Sequence, residues 1–151
     1  MRLKIILLAS SFFSFSFGYS QLFIKVHYNL LLKDDKGQVV DVQNPVVLAN
    51  GAQLVAESTE ESVDEEMQKV TYEILRTEVS QYRNGAVVEK KKLNSNHIPF
   101  KEFNIEKGDK FNIKVTGLKQ TNIKGISREL KMEEINPKEI KMFVLKLVWG
   151  E

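Results

Sequence analysis

Turn signals cut this chain into short segments whose apolar residues recur at every second position, and that pattern confines it to β structure. Ile24, Val26, Tyr28 and Leu30 alternate with Lys25, His27 and Asn29, and Phe111, Ile113 and Val115 alternate with Asn112, Lys114 and Thr116. Period two belongs to a half-buried strand, because successive side chains of an extended backbone leave on opposite faces. Between such segments stand Asp34-Asp35-Lys36-Gly37, Asn50-Gly51, Asn84-Gly85, Glu106-Lys107-Gly108-Asp109 and Gly125. Glycine and asparagine tolerate the positive φ that tight turns need. Asn44-Pro45 and Asn136-Pro137 add breaks, since a residue before proline is pushed out of regular structure. Strands recurring every ~8–12 residues with turns between them predict an all-β fold, a single antiparallel β-sandwich of about seven to nine strands, immunoglobulin-like or similar.

The individual segments follow from the same reasoning. Strands are expected over Phe23–Lys33, Gln38–Gln43, Met67–Tyr82, Ala86–Leu93 and Ile140–Trp149, with a short edge strand over Pro99–Ile105. Gly117 is read as the end of the strand that starts near Phe111. The segment Leu118–Leu130 is read as two strands about Gly125. Both Asn-Gly pairs read as two-residue hairpins, the one at Asn84-Gly85 the clearest. Glu57–Lys69 has only Val63 and Met67 as apolar residues and fits either a short surface helix or a loop.

The first twenty residues stand apart from this pattern. Arg2 and Lys4 precede 13 uncharged residues, Ile5–Phe17, and Gly18-Tyr19-Ser20 then supplies small residues before Gln21. That order predicts a signal peptide over 1–20, cleaved before Gln21, leaving a sandwich domain over 21–151. The run falls short of the ~20 residues of a spanning helix, which argues against an anchor. The chain is thus expected to be exported, to the periplasm or the outer-membrane periphery, or secreted, with no membrane span after cleavage.

Cleavage also changes the charge. The full chain has 22 Lys and Arg against 20 Asp and Glu. Losing two basic residues leaves a mature chain with none to spare, so its pI gives no reason to expect nucleic-acid binding. The balance is uneven along the sequence: residues 21–68 carry 3 bases and 9 acids, while 69–151 carry 17 and 11. Two runs stand out. Glu57, Glu60, Glu61, Asp64, Glu65 and Glu66 place six acids in ten residues with no base. Lacking a central glycine and alternating ligands, the run is not a calcium loop; it reads as a solvated connection or a docking segment. Lys90, Lys91 and Lys92 read as an exposed edge guarded against sheet addition, or as contact with an anionic partner.

Chemistry has little to work with. There is no Cys, and there are two His, so thiolate and His-rich metal sites are out. His27 sits on the polar phase of a strand and His97 in a loop. No GxSxG, HExxH, phosphate-loop or dinucleotide fingerprint occurs, so the chain is expected not to be an enzyme and to need no cofactor. A hydrolase built on paired carboxylates is the less favoured third class.

From Val70 onward the order is a hairpin through Asn84-Gly85, a loop, and then KGDKFNIKVTGLKQTNIKGISREL over 107–130. Gly108, Asp109, Phe111, Ile113, Lys119, Gly125, Arg128 and Leu130 make this stretch resemble the C-terminal β-sandwich of the GldM family of gliding-motility proteins. Those are periplasmic components of the Bacteroidetes type IX secretion machinery. The resemblance implies a stand-alone sandwich that binds protein partners in the envelope, linked to secretion or gliding. Function is therefore expected to be non-catalytic protein–protein contact. The alternative is a carbohydrate or small-ligand binding module, which would need an exposed aromatic platform from Tyr72, Tyr82 or Trp149.

Overall fold

A computed structural model describes residues 26–48, 50–64, 66–135 and 138–147. The leader over 1–20, Glu65, Asn136-Pro137 and Trp149 lie outside the described residues. Nine strands follow in order: β1 (Tyr28–Asp34), β2 (Val46–Leu48), β3 (Ala52–Ser58), β4 (Val70–Arg83), β5 (Ala86–Leu93), β6 (His97–Ile98), β7 (Lys110–Asn122), β8 (Ser127–Glu129) and β9 (Glu139–Leu147). They form two sheets, β1-β3-β6 and β2-β9-β7-β4-β5, with β8 beside one end of β7. The fold is all-β, as the alternation requires, and no α-helix occurs among the described residues.

The inward phases of both sheets meet in one core. Tyr28 and Leu32 of β1 and Leu54 and Ala56 of β3 pack against Ile74, Val79, Ile113, Val115, Ile140, Met142 and Val144 of the large sheet. Phe100 and Phe103 close one end, each meeting Phe111 edge to face at 5.4 and 5.5 Å between centroids. A fully buried side chain of this kind contributes about 1.5–3 kcal/mol, so these residues carry most of the stability.

The long central strands switch phase midway. Val70 and Ile74 of β4 are buried on even numbers, then Thr77, Val79 and Gln81 on odd; in β7, Phe111, Ile113, Val115 and Gly117 give way to Leu118 and Gln120. The β4–β7 register slips at Ile74/Arg76 and Arg76/Thr77, opposite Gly117. A bulge re-aims side chains without ending the strand. Gly117 is needed because a Cβ there would lie 2.8 Å from the Arg76 guanidinium, which crosses it to reach Glu129.

Several expectations change here. Gly117 does not end its strand, because the break in alternation marks the bulge. Asn50-Gly51 is not a hairpin: β2 pairs in parallel with β9, while β3 pairs with β1, so the dipeptide carries the chain between sheets. That parallel pair is the exception in an otherwise antiparallel fold. Gln38–Gln43 contributes only a bridge, Lys33 to Val39. Pro99–Ile105 holds a 3-10 turn, Phe100–Glu102, in place of an edge strand. The acidic run is neither helix nor open loop: Glu57 ends β3, and Ser62–Val70 folds back through a Val63–Lys69 bridge.

Candidate docking surface

The register of the large sheet lines up its outward side chains in rows across four strands. Directly paired residues share a face, so Val87, Tyr82, Lys110 and Phe143 form one row. Lys90, Ser80, Asn112 and Lys141 form the next, and Lys92, Glu78, Lys114 and Glu139 the third. Five lysines face two glutamates on these twelve positions. Lys90 pairs with Glu78 at 3.0 Å and Lys141 with Glu139 at 3.0 Å. Lys92, Lys110 and Lys114 have no carboxylate within 4 Å among the described residues. The Asn112 amide and Lys141 hold the Glu139 carboxyl below the usual carboxylate range. The face is therefore basic, with an apolar and aromatic margin where Val87 is 54% and Phe143 37% exposed.

Sequence reasoning found Lys90 and Lys92 but not their neighbours on the face. Lys110, Lys114 and Lys141 sit on the polar phases of other strands, and only the register joins them. Lys91 goes the other way. Its ammonium lies 4.5 Å from the Phe103 ring centre and donates to the Glu102 carbonyl at 2.9 Å, so it covers the core's aromatic end. β5 is an edge strand whose register slips opposite Gln81/Tyr82. An irregular edge bearing lysines resists pairing with another chain's strand.

The acidic run lies elsewhere. Ser62 is fully buried; its hydroxyl donates to the His27 carbonyl and accepts from the Thr59 amide, pinning the loop to β1. Glu61 Oε2 meets His27 Nδ1 at 2.9 Å. Asp64 Oδ1 accepts from the amides of Glu66 and Gln68, a local turn that forces Met67 to φ 60°. Glu57 and Glu60 are exposed, and Glu66 meets Lys124 at 3.4 Å. That last contact joins the loop to the turn between β7 and β8. Met67, Ile123 and Ile126 are thereby gathered at one tip, 73, 72 and 65% exposed. From Val70, where the acidic loop enters β4, to Ser80 on the lysine face is ten residues, roughly 30 Å of strand. The acids and lysines singled out from the sequence are thus not one surface.

A buried ionic cluster went unread in the sequence as a cluster. Asp109 is 1% exposed and accepts from Gln81 Nε2 at 2.7 Å, Arg83 Nε and Nη2 at 2.9 Å each, and the Glu106 amide at 2.8 Å. The Arg83 guanidinium first, then the amide and Gln81, hold its carboxyl down to about 2 against desolvation. Arg83 also reaches Glu106 at 2.6 Å. Every acceptor is filled, so the group is structural and ties the β4 end to the Gly108-Asp109 turn.

Two open depressions mark the surface. One, about 290 Å³, lies at the acidic tip between Asp64, Glu66, Ile126 and Arg128 and has no aromatic lining. The other, about 370 Å³, lies at the β1 edge between His27, Glu60, Glu61 and Lys138. His97 is exposed and packs beside Gly51. Tyr72 is half-buried, its ring 5.6 Å from that of Tyr28. No cluster of three metal-ligating side chains occurs among the described residues, and no helix there is long and apolar enough to cross a membrane. Comparison with family models, curated proteins and solved structures found no match.

Proposed function

We propose that this chain is an exported, non-catalytic envelope protein that works by protein–protein contact through the outer face of its large sheet. The observation that carries the reading is the grouping of Lys90, Lys92, Lys110, Lys114 and Lys141 beside Tyr82, Val87 and Phe143. An acidic partner gains long-range attraction from the lysines and buried apolar area from the margin. The periplasm or outer-membrane periphery is the compartment proposed, and secretion or gliding machinery is the setting suggested by the GldM-like stretch. Affinity isolation from native envelope tests it. The wild-type protein should recover a defined partner, and a variant with Tyr82→Ser, Lys110→Ser, Lys114→Ser and Phe143→Ser should lose it with an unchanged denaturation midpoint. Equal recovery by both proteins overturns the reading.

One observation favours the carbohydrate alternative. Tyr82 and Phe143 stand two strands apart, roughly 10 Å, on either side of Lys110, a spacing open to an extended chain of sugars. Retardation in gels carrying soluble polysaccharides, lost in Tyr82→Ser, would support it.

A further inference from the structure

The acidic tip and the lysine face match each other in two respects. Each joins one sign of charge to exposed apolar side chains: Glu60, Glu61 and Glu66 stand with Met67, Ile123 and Ile126, while Lys92, Lys110 and Lys114 stand with Tyr82, Val87 and Phe143. The mature chain is expected to have no net charge, so neither patch is the excess of a generally acidic or basic protein. The two patches lie at different points along β4, roughly 30 Å apart, and so cannot meet within one molecule. The loop is also held ready for contact. Ser62 anchors its start, Lys124 ties its far side, and the left-handed backbone at Met67 presents that side chain outward at the cost of strain.

Resting on the reading of the lysine face as the docking surface, we propose that its partner is a second copy of this chain, whose acidic tip seats on that face. The contact joins two different patches, so it is head-to-tail, and each added copy leaves one free patch of each kind. Both patches are small, which places the affinity in the range of about 10 μM to 1 mM. Salt weakens it, because the attracting charges are exposed.

Sedimentation of the mature protein tests the proposal. Up to about 1 mM, the wild-type mass average should rise with concentration at low salt and fall to that of the monomer near 0.5 M salt. Two surface variants sharpen the result. A tip variant, Glu60→Gln with Glu61→Gln and Met67→Ser, should be monomeric alone, and so should a face variant, Tyr82→Ser with Lys110→Gln and Lys114→Gln. Mixed in equal amounts they should form dimers that grow no further, since the pair holds one good tip and one good face. A wild-type protein that stays monomeric at low salt overturns the proposal, and so does a tip variant that associates like the wild type. If the wild type is monomeric but recovers an envelope partner through the lysine face, self-association fails and the docking reading stands. If association persists in the face variant, both fail together.

Discussion

The dipeptide Asn-Gly occurs twice and does two different jobs. At Asn84-Gly85 both residues have positive φ, 52° and 83°, and β4 turns directly into β5. At Asn50-Gly51 neither residue has positive φ, and the flanking strands β2 and β3 belong to different sheets. Gly51 is needed there for room: a Cβ would lie 2.7 Å from the His97 ring. The first glycine is required by its own backbone, the second by a neighbour. A turn-forming pair closes a hairpin only when the strands on either side are each other's best partners, and that depends on residues far away in sequence.

Four measurements can break or sharpen this contrast. The largest effect is expected where the hairpin end is fastened. Asp109→Ala leaves Arg83, beside Asn84, without its main partner and should cost about 2–3 kcal/mol in denaturant melts. A cost under about 1 kcal/mol would mean that the turn alone holds the hairpin. The same carboxylate sets an acid limit. Its folded value of about 2 lies below the ordinary 3.8, so its stabilisation is present above pH 4 and is lost as pH falls toward 2. That loss amounts to about 2 kcal/mol, and Asp109→Asn should flatten the wild-type decline over that range.

Gly85→Val comes third, at about 1–2 kcal/mol, because a β-branched residue is forced into the left-handed region. A neutral Gly85→Val would remove the conformational half of the comparison. Gly51→Ala should cost less, about 0.5–1 kcal/mol, because the obstacle is an exposed ring that can swing away. Adding His97→Ala should return most of that loss. If it returns none, the close approach of the Ile98 carbonyl sets the need for glycine instead.

What the sequence revealed and what it hid divide along the same line. Local chemistry was legible. Asn84-Gly85, Gly108 and Gly125 all have the positive φ that their turns demand, and the period-two segments at Tyr28–Leu32 and Phe111–Val115 face the core as expected. The exposure of Glu57, Glu60 and Glu66 was legible too, since so little apolar surface accompanies them. Pairing was not. The bulge at Arg76 and Gly117 looks in sequence like a strand ending, because one extra residue reverses every later side chain. The lysine face requires four strands to be placed in register, and each contributes only one or two of its five lysines. Met67, Ile123 and Ile126 meet at the tip because the β7–β8 turn folds toward a loop far behind it in the chain.

The parallel pair β2–β9 has a consequence in time. Val46 pairs with Val144, 98 positions away, whereas β4 and β5 are separated by two residues. Closing so long a loop costs entropy before any contact is made, while a tight hairpin forms within microseconds. Folding should therefore run from the Asn84-Gly85 hairpin outward and finish when β2 docks on β9. Until then β9 lacks its outer neighbour, so the interval before β2 arrives is the period in which a newly made chain is most open to pairing with the wrong strand.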